Sequence, residues 1–120
     1  MLKTTALLAA AFLAAPAAFA GDCSPKEAEA VGKTAADLVR ARVESVTAVA
    51  GKEMMNLSAC KSKGGGFEIK YKYNFMAADG YLWVEGEGTI NGASGEIEVK
   101  RMADKLKDAA EAKNIVLAAR

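Results

Sequence analysis

Four glutamates and one tryptophan carry most of the chemistry this sequence can offer. Glu85 and Glu87 alternate with Gly86 and Gly88, and Glu96 and Glu98 alternate with Ile97 and Val99. Paired carboxylates at such spacing can exchange protons with a substrate or hold a hard cation. The first use asks for an enclosed cleft that holds a carboxylate away from water. Here Lys70, Lys72 and Lys100 fall among the same residues, the composition of a solvated sheet face. Histidine is absent from the chain. That excludes Ser–His and Cys–His catalytic pairs and every histidine metal site. Gly64-Gly65-Gly66 precedes an extended stretch rather than a helix, so no helix N-terminus faces a phosphate there. The expectation is a non-enzymatic protein that needs no metal and no cofactor.

The two cysteines, Cys23 and Cys60, belong with the chain's N-terminus. Lys3, the apolar run Ala6–Ala15 and the closing Ala18-Phe19-Ala20 have the pattern of a secretory signal peptide spanning residues 1–20. The apolar run is too short for the roughly 20 residues that a membrane-spanning helix needs. Asp22 and Gly21 before Cys23 argue against lipidation, so no stable membrane insertion is expected after cleavage. Export places the thiols in an oxidising compartment, periplasmic or extracellular, where a Cys23–Cys60 disulfide is the expected state. Cleavage removes Lys3 and no acid, taking the 16 basic residues to 15, level with the 15 acidic ones. A neutral chain has no electrostatic footprint for nucleic acid, and another envelope or secreted protein is the better partner. Residues 21–120 make one domain.

The elements that position these groups follow from periodicity. Ser24-Pro25-Lys26-Glu27 reads as a capped helix start, with serine as cap, proline in the first turn and Glu27 reaching back. Val31, Ala35, Leu38, Val39, Val43, Val46 and Val49 then recur at helical spacing, which predicts a helix to about Ala50 with Gly51 as its stop. The disulfide limits that helix. Continued to Cys60, it would set the cysteines roughly 55 Å apart at 1.5 Å per residue, against the about 7 Å that a bridge tolerates between Cα atoms. The chain must therefore return along the helix. Glu53–Cys60 reads as a first strand with Met55, Leu57 and Ala59 inward, which leaves Cys60 on the opposite face unless the edge bends.

From Phe67 to Phe75 aromatic and aliphatic residues alternate with Glu68, Lys70, Lys72 and Asn74, a strand with one buried and one wet face. A second strand runs from Tyr81 to Ile90. With Asp79-Gly80 as the centre of a tight turn, Phe75 faces Val84, Tyr73 and Tyr71 cover Gly86 and Gly88, and Lys72 faces Glu87. Trp83 then lies on the wet face beside Met76. Ile97 and Val99 mark a fourth strand, and Met102, Leu106, Ala109 and Ala110 a short second helix that Asn114 can end. The segment 115–117 fits either a last turn or a short strand. The fold class is α+β: a long N-terminal helix packed on a four-stranded antiparallel meander, followed by a short C-terminal helix. This order of elements is similar in outline to the cystatin-type arrangement, a likeness of topology that brings none of that family's inhibitory motifs.

The wet face holds the candidate partner-binding residues Lys70, Lys72, Trp83, Glu85 and Glu87, because a large aromatic among charges of both signs suits a protein partner. The rival role for Trp83 is structural, under a cover made by Met102, Leu106 and the 115–117 tail. The alternative function is a carrier that holds a small apolar ligand between helix and sheet.

Overall fold

The computed structural model describes residues 22–78 and 80–117. The proposed leader and its cleavage point lie outside that range. The order of elements is α1 (Pro25–Glu44), β1 (Glu53–Lys63), β2 (Gly66–Ala77), β3 (Gly80–Asn91), β4 (Ser94–Met102) and α2 (Asp104–Ala112). The strands form one antiparallel sheet in sequence order, β1-β2-β3-β4. This is the expected α+β meander between two helices.

Helix α1 begins as its sequence requires. The Ser24 hydroxyl accepts from the Glu27 N–H at 3.1 Å, and the Glu27 carboxylate accepts from the Ser24 N–H at 2.9 Å. Two otherwise orphaned donors are satisfied reciprocally. Val31, Ala35, Val39 and Val43 face the sheet and are buried. The helix ends at Glu44, about two turns before the expected stop at Gly51. Val43, Val46, Thr47 and Val49 are β-branched and stiff in a helix, so continuation has little intrinsic support. The chain turns at Ser45, and Val46 still reaches the core from the turn at 2 % exposure. The Lys113 ammonium donates to the Val46 carbonyl at 2.7 Å, tying the turn after α1 to the end of α2.

Cys23 and Cys60 form the disulfide, with Cα atoms 5.4 Å apart. The difficulty over the Cys60 face is resolved by a bulge. Pairing of β1 with β2 slips between Leu57 and Ala59, so Cys60 pairs with Ile69 on the inner face and Ala59 with Lys70 on the outer one. The expected inward Ala59 is thus corrected, since one extra residue reverses the alternation. The Cys23 N–H donates to the Cys60 carbonyl at 2.9 Å, and Asp22 bridges to Lys61, so residues 22 and 23 lie along the β1 edge.

The hairpin of β2 and β3 closes one residue earlier than the Asp79-Gly80 turn would set it, which slips the pairing by two. Ala77 pairs with Gly80, Phe75 with Leu82, Tyr73 with Val84, Tyr71 with Gly86 and Lys72 with Glu85. A slip of two keeps every side chain on its face, so the inner and outer assignments survive while the partners change. Gly86 shows what the observed register accommodates. A Cβ there would stand 2.8 Å from the Tyr71 hydroxyl and closer still to the Glu98 carbonyl oxygen. The Tyr71 hydroxyl crosses this bare backbone and donates to that carbonyl at 3.0 Å.

Helix α2 lies on the same side of the sheet as α1. Leu106, Ala110 and Leu117 are buried in the one cluster that also holds Val39, Val43, Tyr73 and Val84. Arg42 of α1 donates to the Leu117 carbonyl at 3.5 Å. Lys113 closes α2, and Asn114 follows it with φ of 58°. Residues 115–117 belong to neither helix nor strand, yet Leu117 is only 2 % exposed. No described helix is long and apolar enough to cross a membrane.

Candidate functional site

Because both helices occupy one side, the other face of the sheet has no described segment over it. Pairing across the strands places its side chains in rows. One row runs Met54, Asn74, Trp83, and the next Asn56, Lys72, Glu85, Arg101. A third runs Ala59, Lys70, Glu87, Glu98, and a fourth Lys61, Glu68, Thr89, Glu96. The five residues expected to form a binding surface therefore share this face, and Trp83 stands on the interior strand β3.

Trp83 is half-buried, between Asn74 and the turn that leads into α2, and its carbonyl accepts from the Ala103 N–H at 3.0 Å. Its partner across the hairpin is Asn74 rather than Met76, a consequence of the two-residue register change. The Lys72 ammonium sits 5.0 Å from the indole centroid. At a partly exposed site such a contact contributes about 0.5–1 kcal/mol. Lys72 also lies 4.0 Å from a Glu85 oxygen, and the Arg101 guanidinium donates twice to Glu85, at 2.6 and 2.9 Å. With Arg101 at 74 % side-chain exposure, the pair adds little stability. Its effect is positional: a chain of alternating charge, Lys72–Glu85–Arg101, fixes the side chains along one flank of the indole. The tail expected as a cover for Trp83 instead sends Leu106 and Leu117 to the inner core.

Three residues of this face were not among the sequence candidates. Met54 and Tyr81 are exposed at 59 % and 62 %. Tyr81 pairs with Met76 directly beyond Trp83, so Met54, Met76, Tyr81 and Trp83 make one apolar end of the face. The alternation of β3 already sets Tyr81 and Trp83 on a common side, a signal present in the sequence. Arg101 was hidden by a second bulge. It shares parity with the buried Ile97 and Val99, and only the slip in β3–β4 pairing at Glu85 and Gly86 turns it outward against Glu85.

Beyond the Lys72 row the bulged strands leave an open concavity of about 390 Å³ over Ala59 and Gly88, walled by Lys61, Lys70, Glu87 and Glu98. Among the described residues, no group of three or more acidic or sulfur ligands converges to hold a metal ion. The strongly displaced acids are on the inner side instead. Burial pushes both the Tyr71 and Tyr73 phenols well above their ordinary range, and at Tyr73 the hydrogen bond to Glu53 adds to the effect. The Tyr73 hydroxyl donates to Glu53 at 2.6 Å, while Arg40 bridges Glu53 and Asp37 at 3.0 and 2.7 Å. Those groups tie α1 to β1 and are engaged with one another.

In comparisons with known proteins, no family model, no curated protein and no solved structure matches this chain.

Proposed function

We propose that this chain is a small exported, non-enzymatic interaction domain of the periplasm or extracellular space, and that it binds a protein partner through the outer face of its sheet. One observation carries the reading: α1 and α2 pack on one side, leaving Trp83 with Tyr81 and Met54 on a surface that no described segment covers. Aromatic and methionine side chains ringed by charge are the composition of an interface centre and its rim. A chain with balanced charge suits a protein surface better than nucleic acid. Export is supported by the Cys23–Cys60 disulfide together with the basic, apolar and small-residue pattern of residues 1–20. For the carrier alternative no observation speaks: Ala35, Val39, Val43, Tyr73 and Phe75, where its ligand would lie, are all at zero exposure in one cluster.

The test is photo-crosslinking in the producing cell, with a photoreactive phenylalanine analogue at Tyr81 and, separately, at the exposed Lys33 on the far side of α1. Protein adducts from position 81 and none from position 33 are expected. Adducts from position 33 alone, or none from position 81, overturn the reading.

A further inference from the structure

The partner is identified by the pattern of the rows. In the two rows farthest from Trp83 the outer face carries Lys61 and Lys70 on the β1–β2 half and Glu87, Glu96 and Glu98 on the β3–β4 half, with Glu68 the exception. Along the strands it passes from the apolar end at Tyr81 and Trp83 to the charged rows. Building on the interaction reading above, we propose that this face binds a second copy of the same chain, as a face-to-face dimer whose two-fold axis runs parallel to the strands between β2 and β3.

That axis sets β2 of one copy over β3 of the other and β1 over β4, without exchanging the ends. Lys72 then falls over Glu85 of the other copy, Lys70 over Glu87 and Lys61 over Glu96. Asn56 meets Arg101, Ala59 meets Glu98, and Glu68 meets Thr89. Each charge of these three rows meets an opposite or a neutral residue, and symmetry repeats each pair. The apolar ends meet as well, Trp83 over Asn74 and Tyr81 over Met76. The other in-plane axis, perpendicular to the strands, would stack Lys70 and Lys72 on the lysines of their own strand's copy and the β3 glutamates on each other. It would also set apolar end against charged end. Like-charge juxtaposition of that kind is strongly rejected.

The geometry and size are those of a sheet sandwich. Aligned sheets pack about 10 Å apart at about 30°, a rotation that leaves the central rows in register. Four strands spaced about 4.8 Å apart and about 33 Å long give a footprint of roughly 600 Å² per copy. Two such faces reach the roughly 1,000–1,200 Å² total of a small specific interface. The apolar end supplies affinity, and the charged rows supply orientation.

Sedimentation of the processed, disulfide-bonded protein over a concentration series tests this. Wild type is expected to show a concentration-dependent monomer–dimer equilibrium, weakened at least tenfold in Trp83→Ala. Lys70→Glu and Glu87→Lys, each alone, place like charges across the axis and are expected to be monomeric. Mixed in equal amounts they place opposite charges there, and a heterodimer is expected to form. A wild type that stays monomeric to about 1 mM (a free energy near 4 kcal/mol) overturns the proposal, as does a mixture that fails to associate. If the wild type is monomeric while position 81 crosslinks to a protein of different mass, this proposal falls and the interaction reading stands. If position 81 also gives no adduct, both fall.

Discussion

The two faces of this sheet come from the same strands and obey opposite rules. On the inner face Ile69, Tyr71, Tyr73, Phe75, Val84, Ile90, Ile97 and Val99 are buried at 5 % exposure or less. Their polar atoms are spent on internal partners, Tyr71 on the Glu98 carbonyl and Tyr73 on Glu53. On the outer face Lys70, Lys72 and Glu87 stay exposed, and the large side chains Met54 and Tyr81 meet water. A face that must be covered is filled by α1 and α2, whereas a face held open keeps aromatic and charged groups in an order of its own. The buried contacts are concentrated on the inner side, and the outer side carries the exposed aromatic and charged groups.

Cutting the covalent tie between the inner layer's two parts gives the largest expected effect. Replacing Cys23 and Cys60 with serine frees a segment with a sequence separation of 37. On the chain-entropy relation this costs about 4 kcal/mol, read as a drop in the denaturation midpoint under oxidising conditions. Gly86→Val follows at about 3 kcal/mol, the upper range of overpacking, because a Cβ there meets the fixed Glu98 carbonyl as well as Tyr71. A variant as stable as wild type would show that β3 and β4 can separate at this point.

Tyr73→Phe removes the hydroxyl that donates to Glu53 and is expected to cost about 1–2 kcal/mol at neutral pH. The two buried tyrosines also fix the direction of pH dependence. Their folded pKa values lie above the unfolded value, so the folded state holds protons that the unfolded state releases. Their contribution is intact below about pH 10 and is lost as pH rises beyond it. Denaturant midpoints should hold up to about pH 10 and fall as pH rises above it, and the slope should flatten in Tyr73→Phe. On the outer face, Glu87→Ala is expected to change stability by less than about 0.5 kcal/mol. A larger loss than Tyr73→Phe in thermal melts would reverse the assignment of the two faces.

These faces were legible in the sequence because alternation from Phe67 to Phe75 has a single interpretation. The partners were not, since a period of two is unchanged by a slip of two. Only the turn could decide between Asp79-Gly80 and a closure at Ala77 and Gly80, and both place a glycine at the bend. The disulfide carried more: the distance it imposes ended α1 before Cys60 and sent β1 back along it. The bulge that turns Cys60 inward leaves no local mark at Ser58, and its one trace was the conflict between Ala59 and Cys60. The end of α1 was misread for a related reason. Val46 and Val49 keep the spacing of a helix while packing from a turn, because burial alone selects them. Arg101 was missed because a bulge in its own pairing reverses its parity.

No described segment covers the outer face around Trp83, and the chain's single tryptophan reports this directly. Emission of the processed protein, followed by dilution to nanomolar concentration with iodide or acrylamide as quencher, reads the indole alone. A solvent-contacting spectrum with ready quenching is expected in the dilute limit, where each copy is separate. A buried-type spectrum, protected from quencher at every dilution, would contradict it.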